Sequence, residues 1–120
     1  MGNMMRANTT DVKMFIDQNI KHVKTIQSIS SRMMIPYDTL RKTFLRHERV
    51  PLGNYITMRK VQAMKEMLLV GDDPCFYVCY EFGYREDTGA KIFKKMTGMT
   101  MLEFRRRYKN VRQTIESLAG

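Results

Sequence analysis

Apolar residues in this chain recur three and four positions apart, in runs that end at glycine, proline or a capping side chain. That spacing predicts about seven helices and no strand, an all-α fold. The first helix, 10–19, is capped by Thr10 or Asp11 and turns Met14, Phe15, Gln18 and Ile20 inward. Thr25 caps a second, 26–32, that buries Ile26 and Ile29, and Pro36 opens a third, 36–47, with Leu40 and Phe44 inside. A long fourth helix over 54–70 carries Tyr55, Met58, Val61, Met64 or Lys65, and Leu68 at helical intervals. Asp73-Pro74 caps and starts a fifth, 74–82, with Cys75, Val78, Cys79 and Phe82. A sixth covers 86–96, and Thr100 with Glu103 forms a capping box for a seventh, 100–118.

The pattern repeats with a period of 49. Ile29-Ser30 answers Val78-Cys79, Met34-Ile35 answers Gly83-Tyr84, Lys42 answers Lys91, Phe44 answers Phe93, Arg46 answers Lys95, and Tyr55 answers Phe104. A repeat of this length implies two copies of one supersecondary unit. Short helix, tight turn, longer helix is the helix-turn-helix plan, whose second helix enters the DNA major groove. The expected organisation is a tail over 1–9, a first helix-turn-helix unit over 10–50, a linking helix over 51–71 that spaces the units, and a second unit with a C-terminal helix over 72–120.

Charge points the same way. The 120 residues carry a formal net charge of +9, from 21 Lys and Arg against 12 Asp and Glu. That excess attracts polyanions, nucleic acid first and anionic membrane second. It is concentrated in residues 1–60, with eleven basic and four acidic side chains, against ten and eight in 61–120. The first half is thus expected to supply more of the electrostatic affinity for DNA. No apolar run approaches the roughly 20 residues that span a bilayer. The apolar helix faces are needed for the core, so no membrane contact is expected. The first residues lack the apolar stretch of a secretory signal, and the expected location is cytoplasmic.

Chemistry of other kinds finds little footing. Cys75 and Cys79 have no second pair, and only His22 and His47 could join them, so no metal or cofactor is expected. Both thiols read as small core hydrophobes, and most of the 12 methionines as core filler. There is no Ser-His-Asp spacing, glycine-rich phosphate loop or carboxylate pair beside a histidine, so the chain is not expected to be an enzyme. His47, among basic and apolar neighbours, reads as a surface or phosphate-facing residue.

Over about 11–108 the residues resemble the DNA-binding domain of the AraC/XylS family of bacterial transcription regulators. The resemblance rests on Leu52-Gly53-Asn54-Tyr55-Ile56, Arg59, Ala63, Leu68-Leu69, Gly83-Tyr84, Phe93-Lys94-Lys95, and Gly98-Met99-Thr100 with Phe104-Arg105, in order and at near-family spacing. In length it is similar to the compact single-domain members of the MarA and SoxS type. The resemblance implies a sequence-specific transcription regulator, bound to double-stranded DNA as a monomer and acting with RNA polymerase. The chain departs from the pattern at Met34 and Arg49, where glycine is usual, at Pro36 for serine and at Met101 for proline. The second turn is also one residue short, which sets Gly89 in the slot of Leu40. Glycine in a helix costs roughly 1 kcal/mol against alanine, so a shifted, shortened or poorly ordered sixth helix is the expectation.

With Leu40 and Phe44 inward, the third helix turns Asp38, Arg41, Lys42 and Leu45 outward. Arg41 is the candidate for direct readout, because its fork pairs with guanine O6 and N7. Lys42 and Arg46 suit phosphate or guanine, Leu45 a sugar or thymine methyl, and Tyr37 and Thr39 phosphates at the helix start. Asp38 either accepts from cytosine N4 or serves the helix dipole, with the dipole favoured. The equivalent face of the sixth helix has Asp87, Ala90, Lys91 and Lys94, with Lys95 beside them and no arginine. Arg85 and Thr88 suit phosphate. Base contacts specify and phosphate contacts position, so the first unit is expected to read bases and the second mainly to anchor. The run Arg105-Arg106-Arg107 with Lys109 and Arg112 is either a phosphate clamp or a set of structural and solvated side chains. The competing function is an interaction module that keeps the fold, binds DNA only weakly and nonspecifically, and uses its Met-rich basic surface for a protein partner.

Overall fold

The computed structural model describes residues 8–119, with side chains in the last helix described through Lys109 and at Leu118. Among these residues seven helices follow one another: α1 (Thr9–Gln18), α2 (Ile26–Met33), α3 (Tyr37–Glu48), α4 (Leu52–Val70), α5 (Cys75–Glu81), α6 (Glu86–Thr97) and α7 (Met101–Ala119). There is no strand among the described residues, and no helix long and apolar enough to cross a membrane. The chain divides into two compact units between Arg59 and Lys60, inside α4. Of the tail over 1–9, only Asn8 and Thr9 fall within the described residues.

In the first unit, α1 begins earlier than its threonine suggests. Asn8 is the cap, its side chain accepting from the backbone N–H of Thr10 at 2.9 Å and of Asp11 at 3.4 Å. Val12 and Ile16 are fully buried and Phe15 and Ile20 pack partly buried against the same core, whereas Met14 is half exposed. Thr25 caps α2, accepting from Ser28 N–H at 3.1 Å, and Ile29 is buried behind it. Pro36 stands outside α3 as its N-cap rather than in its first turn, since its ψ of 139° is extended. Leu40 and Phe44 reach zero exposure, and Leu52 and Ile56 of α4 complete a core with Val12, Ile16, Val23, Ile29 and Ile35. Burying each such side chain contributes about 1.5–3 kcal/mol. Met58, placed inward by spacing, is half exposed; Ile56 takes the inner position.

The second unit repeats the plan around Val78, Cys79, Phe82, Phe93, Met101 and Phe104, with α4 burying Val61, Met64 and Leu68. Pro74 again stands as N-cap, just outside α5. Cys79 is buried, but Cys75 is only partly so. The capping box closes as expected, Glu103 N–H donating to Thr100 Oγ1 at 3.1 Å and Thr100 N–H to Glu103 Oε2 at 3.4 Å.

The period of 49 survives in the backbone. Positive φ occurs at Met34 (57°), Arg49 (61°), Gly83 (79°) and Gly98 (80°). These are two pairs 49 apart, one ending the first helix of each unit and one ending the second. The aromatic packing repeats as well. Phe44 and Tyr55 lie 5.2 Å apart between ring centroids, and Phe93 and Phe104 lie 5.6 Å apart. Two chains of contact so alike from sequences so different show which positions the unit needs.

Candidate nucleic-acid interface

The exposed faces of α3 and α6 are set by what lies behind them. Leu40 and Phe44 pin α3 by its apolar stripe, which leaves Tyr37, Asp38, Thr39, Arg41, Lys42, Leu45 and Arg46 exposed on the other side. The guanidinium of Arg41 lies 5.7 Å from the centroid of the Tyr37 ring, one turn back. Asp38 is in the first turn, where its charge suits the helix dipole. His47 is exposed beside Arg46.

Within its own unit, α6 presents Asp87, Thr88, Lys91, Lys94 and Lys95, all exposed, with Ala90 half-buried. Arg85 is the N-cap residue, and its Nε is 3.8 Å from Asp87 Oδ1. Asp87 Oδ1 also accepts from Thr88 N–H at 2.9 Å. Both charged side chains are mostly in water, so this pair is worth little. Glu86 and Asp87 place negative charge at the entrance of this helix, where α3 has Asp38 alone.

Gly89 does not shorten α6. The helix runs twelve residues, as long as α3, and Gly89 is buried within it. A Cβ built there would stand 2.6 Å from Cys79 Sγ and 2.9 Å from Cys79 Cβ. The glycine is what lets α6 approach α5 this closely, with the Cys79 side chain filling the space that a residue like Leu40 fills from the other helix. Burial pushes the Cys79 thiol up to about 11, with a further push from Cys75. It is therefore a neutral packing group at neutral pH.

The basic residues separate into two classes that the sequence does not distinguish. Lys13 pairs with Glu48 at 3.0 Å, and Arg59 with Asp17 at 2.8 Å. Arg105 Nε donates to the carbonyl of Leu68 at 3.0 Å, and Lys109 donates to the carbonyl of Gly71 at 2.9 Å and pairs with Asp72. These two side chains hold the C-terminal end of α4, where free carbonyls favour cations. Of the two readings of the basic run, Arg105 and Lys109 take the structural one. Arg106 and Arg107 remain exposed, and the side chain of Arg112 lies outside the described residues. By contrast, Arg41, Lys42, Arg46, Lys91, Lys94 and Lys95 form no ion pair among the described residues.

One further cation escaped the sequence reading. Lys60 is 4% exposed, its Nζ donating to the carbonyl of Phe82 at 3.1 Å and lying 5.0 Å from the centroid of the Tyr84 ring. It ties down the turn between α5 and α6 from α4. A lysine on a long helix reads as solvated, and only its place one residue before Val61 on the buried face hints otherwise. Among the described residues no three His, Cys, Asp or Glu side chains gather as metal ligands would.

No family model matches this sequence, and none of the curated proteins does. Solved structures do. The DNA-binding domain of AdpA, a global transcriptional factor solved in complex with a target DNA, is 13% identical with a TM-score of 0.78, over 87% of this chain and 95% of that one. A transcriptional regulator from Chromobacterium violaceum, described as containing an AraC-type DNA-binding domain, is 12% identical with a TM-score of 0.75, over 82% and 88%. A DNA-binding transcriptional dual regulator from Escherichia coli K-12 is 25% identical with a TM-score of 0.71, over 80% and 86%. With seven helices in this order and agreement over at least four-fifths of each chain, the protein has the fold of an AraC-type DNA-binding domain.

Proposed function

We propose that the protein is a sequence-specific DNA-binding transcription regulator in which α3 reads bases and α6 mainly anchors on phosphates, in adjacent segments of the major groove. The observation that carries this reading is the face of α3. Leu40 and Phe44 fix the helix from behind, and Arg41, Lys42 and Arg46 stand exposed with no carboxylate partner among the described residues. Free cations on a helix held rigidly in this way suit a polyanion, and an arginine fork adds the ability to discriminate guanine. Tyr37 and Thr39 lie where phosphates pass the helix start. On α6 the free cations are all lysines, point charges suited to phosphate, with Arg85 and Thr88 at its entrance. The protein acts as a monomer with one helix of each unit on the duplex, and it works through RNA polymerase.

The test is selection of genomic DNA by the purified protein, followed by footprinting of the enriched sites. The proposal expects a preferred sequence, protection of two major-groove segments, and affinity that falls steeply with salt while preference over random duplex persists. Binding that falls with salt and shows no preferred sequence would reject specific regulation and leave the interaction-module reading.

A further inference from the structure

Tyr37 and Arg41 are one turn apart on the exposed side of α3, and the Arg41 guanidinium lies 5.7 Å from the centre of the Tyr37 ring. Side chains of a helix lean toward its N-terminus, so Arg41 reaches back over Tyr37. A carboxylate is within reach by spacing as well, because Asp38 stands three positions back. Arg41 nevertheless forms no ion pair among the described residues, and the ring is its contact. The core does not hold that ring in place, since Tyr37 is 39% exposed and stands outside the cluster around Leu40 and Phe44. The copy 49 residues on lacks both members of the pair. Glu86 stands for Tyr37 and Ala90 for Arg41, so the second unit has neither ring nor fork at these positions.

An arginine loose in water samples many rotamers, and pairing with a base must freeze them. A guanidinium stacked on a ring is already ordered, and its flat edge keeps its donors clear for O6 and N7 of guanine. The attraction between cation and ring also strengthens when a duplex excludes water from the pair. We infer that Tyr37 is a positioning residue for base readout: its ring holds the Arg41 fork near the N-terminal end of α3, aimed at a guanine edge. A recognition helix meets base edges with its N-terminal residues, which is where this pair sits. The Tyr37 hydroxyl is left for phosphate. The inference deepens the proposed base reading by α3 and rests on it.

Competition assays against single-base variants of the selected site test it, once Arg41→Ala has located the base pair that Arg41 reads. Tyr37→Ala should reduce the preference for guanine there about fivefold, the factor expected of a cation–π contact at a partly covered site. In the Arg41→Ala background it should change that preference no further. Tyr37→Phe should weaken all duplexes alike, through the lost hydroxyl, and keep the guanine preference of the parent. Both Tyr37 variants should keep the parent's helical circular dichroism, since the ring lies outside the core. In the DNA-free protein, NMR should show the Arg41 side-chain protons shifted by the ring and released in Tyr37→Ala. The inference is overturned if Tyr37→Phe loses the preference as Tyr37→Ala does, or if Tyr37→Ala acts equally in both backgrounds. Arg41 protons that carry no ring shift would overturn it too. An Arg41→Ala variant that keeps every base preference would instead reject base reading by Arg41, and the inference with it. The two failures are separable, because the ring shift is read without DNA.

Discussion

Gly89 and Cys79 pack against each other so closely that a Cβ on Gly89 would lie 2.6 Å from the Cys79 sulfur. The short turn before α6 and the glycine within it are therefore one adaptation. The turn draws the helix in, and the missing side chain makes room. Gly89→Ala gains helix propensity worth about 1 kcal/mol, yet forces two helices apart, which typically costs about 1–3 kcal/mol. Urea unfolding should show net destabilisation, and Gly89→Leu more. An alanine variant as stable as the parent would mean that the contact yields freely.

The four left-handed residues invite the opposite experiment. Met34 holds φ of 57° with its side chain 74% exposed, so glycine there removes backbone strain and little burial. A left-handed residue with a Cβ costs roughly 1–2 kcal/mol, of which glycine's extra unfolded-state freedom takes back a part. Met34→Gly and Arg49→Gly should each raise stability by about 0.5–1 kcal/mol. Gly98→Ala should lower it by about 1–2 kcal/mol through conformation alone, because the added Cβ meets nothing within 4 Å. Thermal melts of the three variants check both signs.

On DNA, Arg41→Ala should cost about 1–3 kcal/mol at the preferred site and relax the choice at one base pair, while binding to random duplex changes much less. Lys91→Ala should weaken all sequences alike and reduce the salt slope by about one phosphate contact. Competition assays against single-base site variants distinguish these outcomes. Equal loss of discrimination in both variants would refute the division between a reading and an anchoring unit.

The pair of Lys13 and Glu48 predicts a pH effect. Hydrogen bonding by the Lys13 ammonium holds the Glu48 carboxyl below its ordinary 4.5. A carboxyl with a lowered folded pKa stabilises the fold above its unfolded value and loses that contribution as pH falls through the folded one. Both groups are exposed enough to water and salt that the effect is small. Lys13→Met should raise the Glu48 pKa toward 4.5 in an NMR titration and flatten the acid limb of stability below that pH. A Glu48 titration unmoved by the substitution would dismiss the pair.

What the sequence determined by itself is the number and order of the helices and the period of 49. Those depend on local chemistry: apolar spacing, capping side chains, prolines and glycines act within a turn or two of themselves. The face of α3 was also legible, because Leu40 and Phe44 are one turn apart and whatever lies opposite must be exposed. Tertiary structure decided which cations are free. Arg105 and Lys109 are spent on carbonyls of residues 37 and 38 positions away, and Lys60 on one 22 positions away. No local pattern encodes partners at such separations. It also reversed the meaning of Gly89, which costs stability as a helical residue and preserves it as the floor under Cys79. A propensity weighs one residue against its own backbone, and packing weighs it against a neighbour that only the fold brings near.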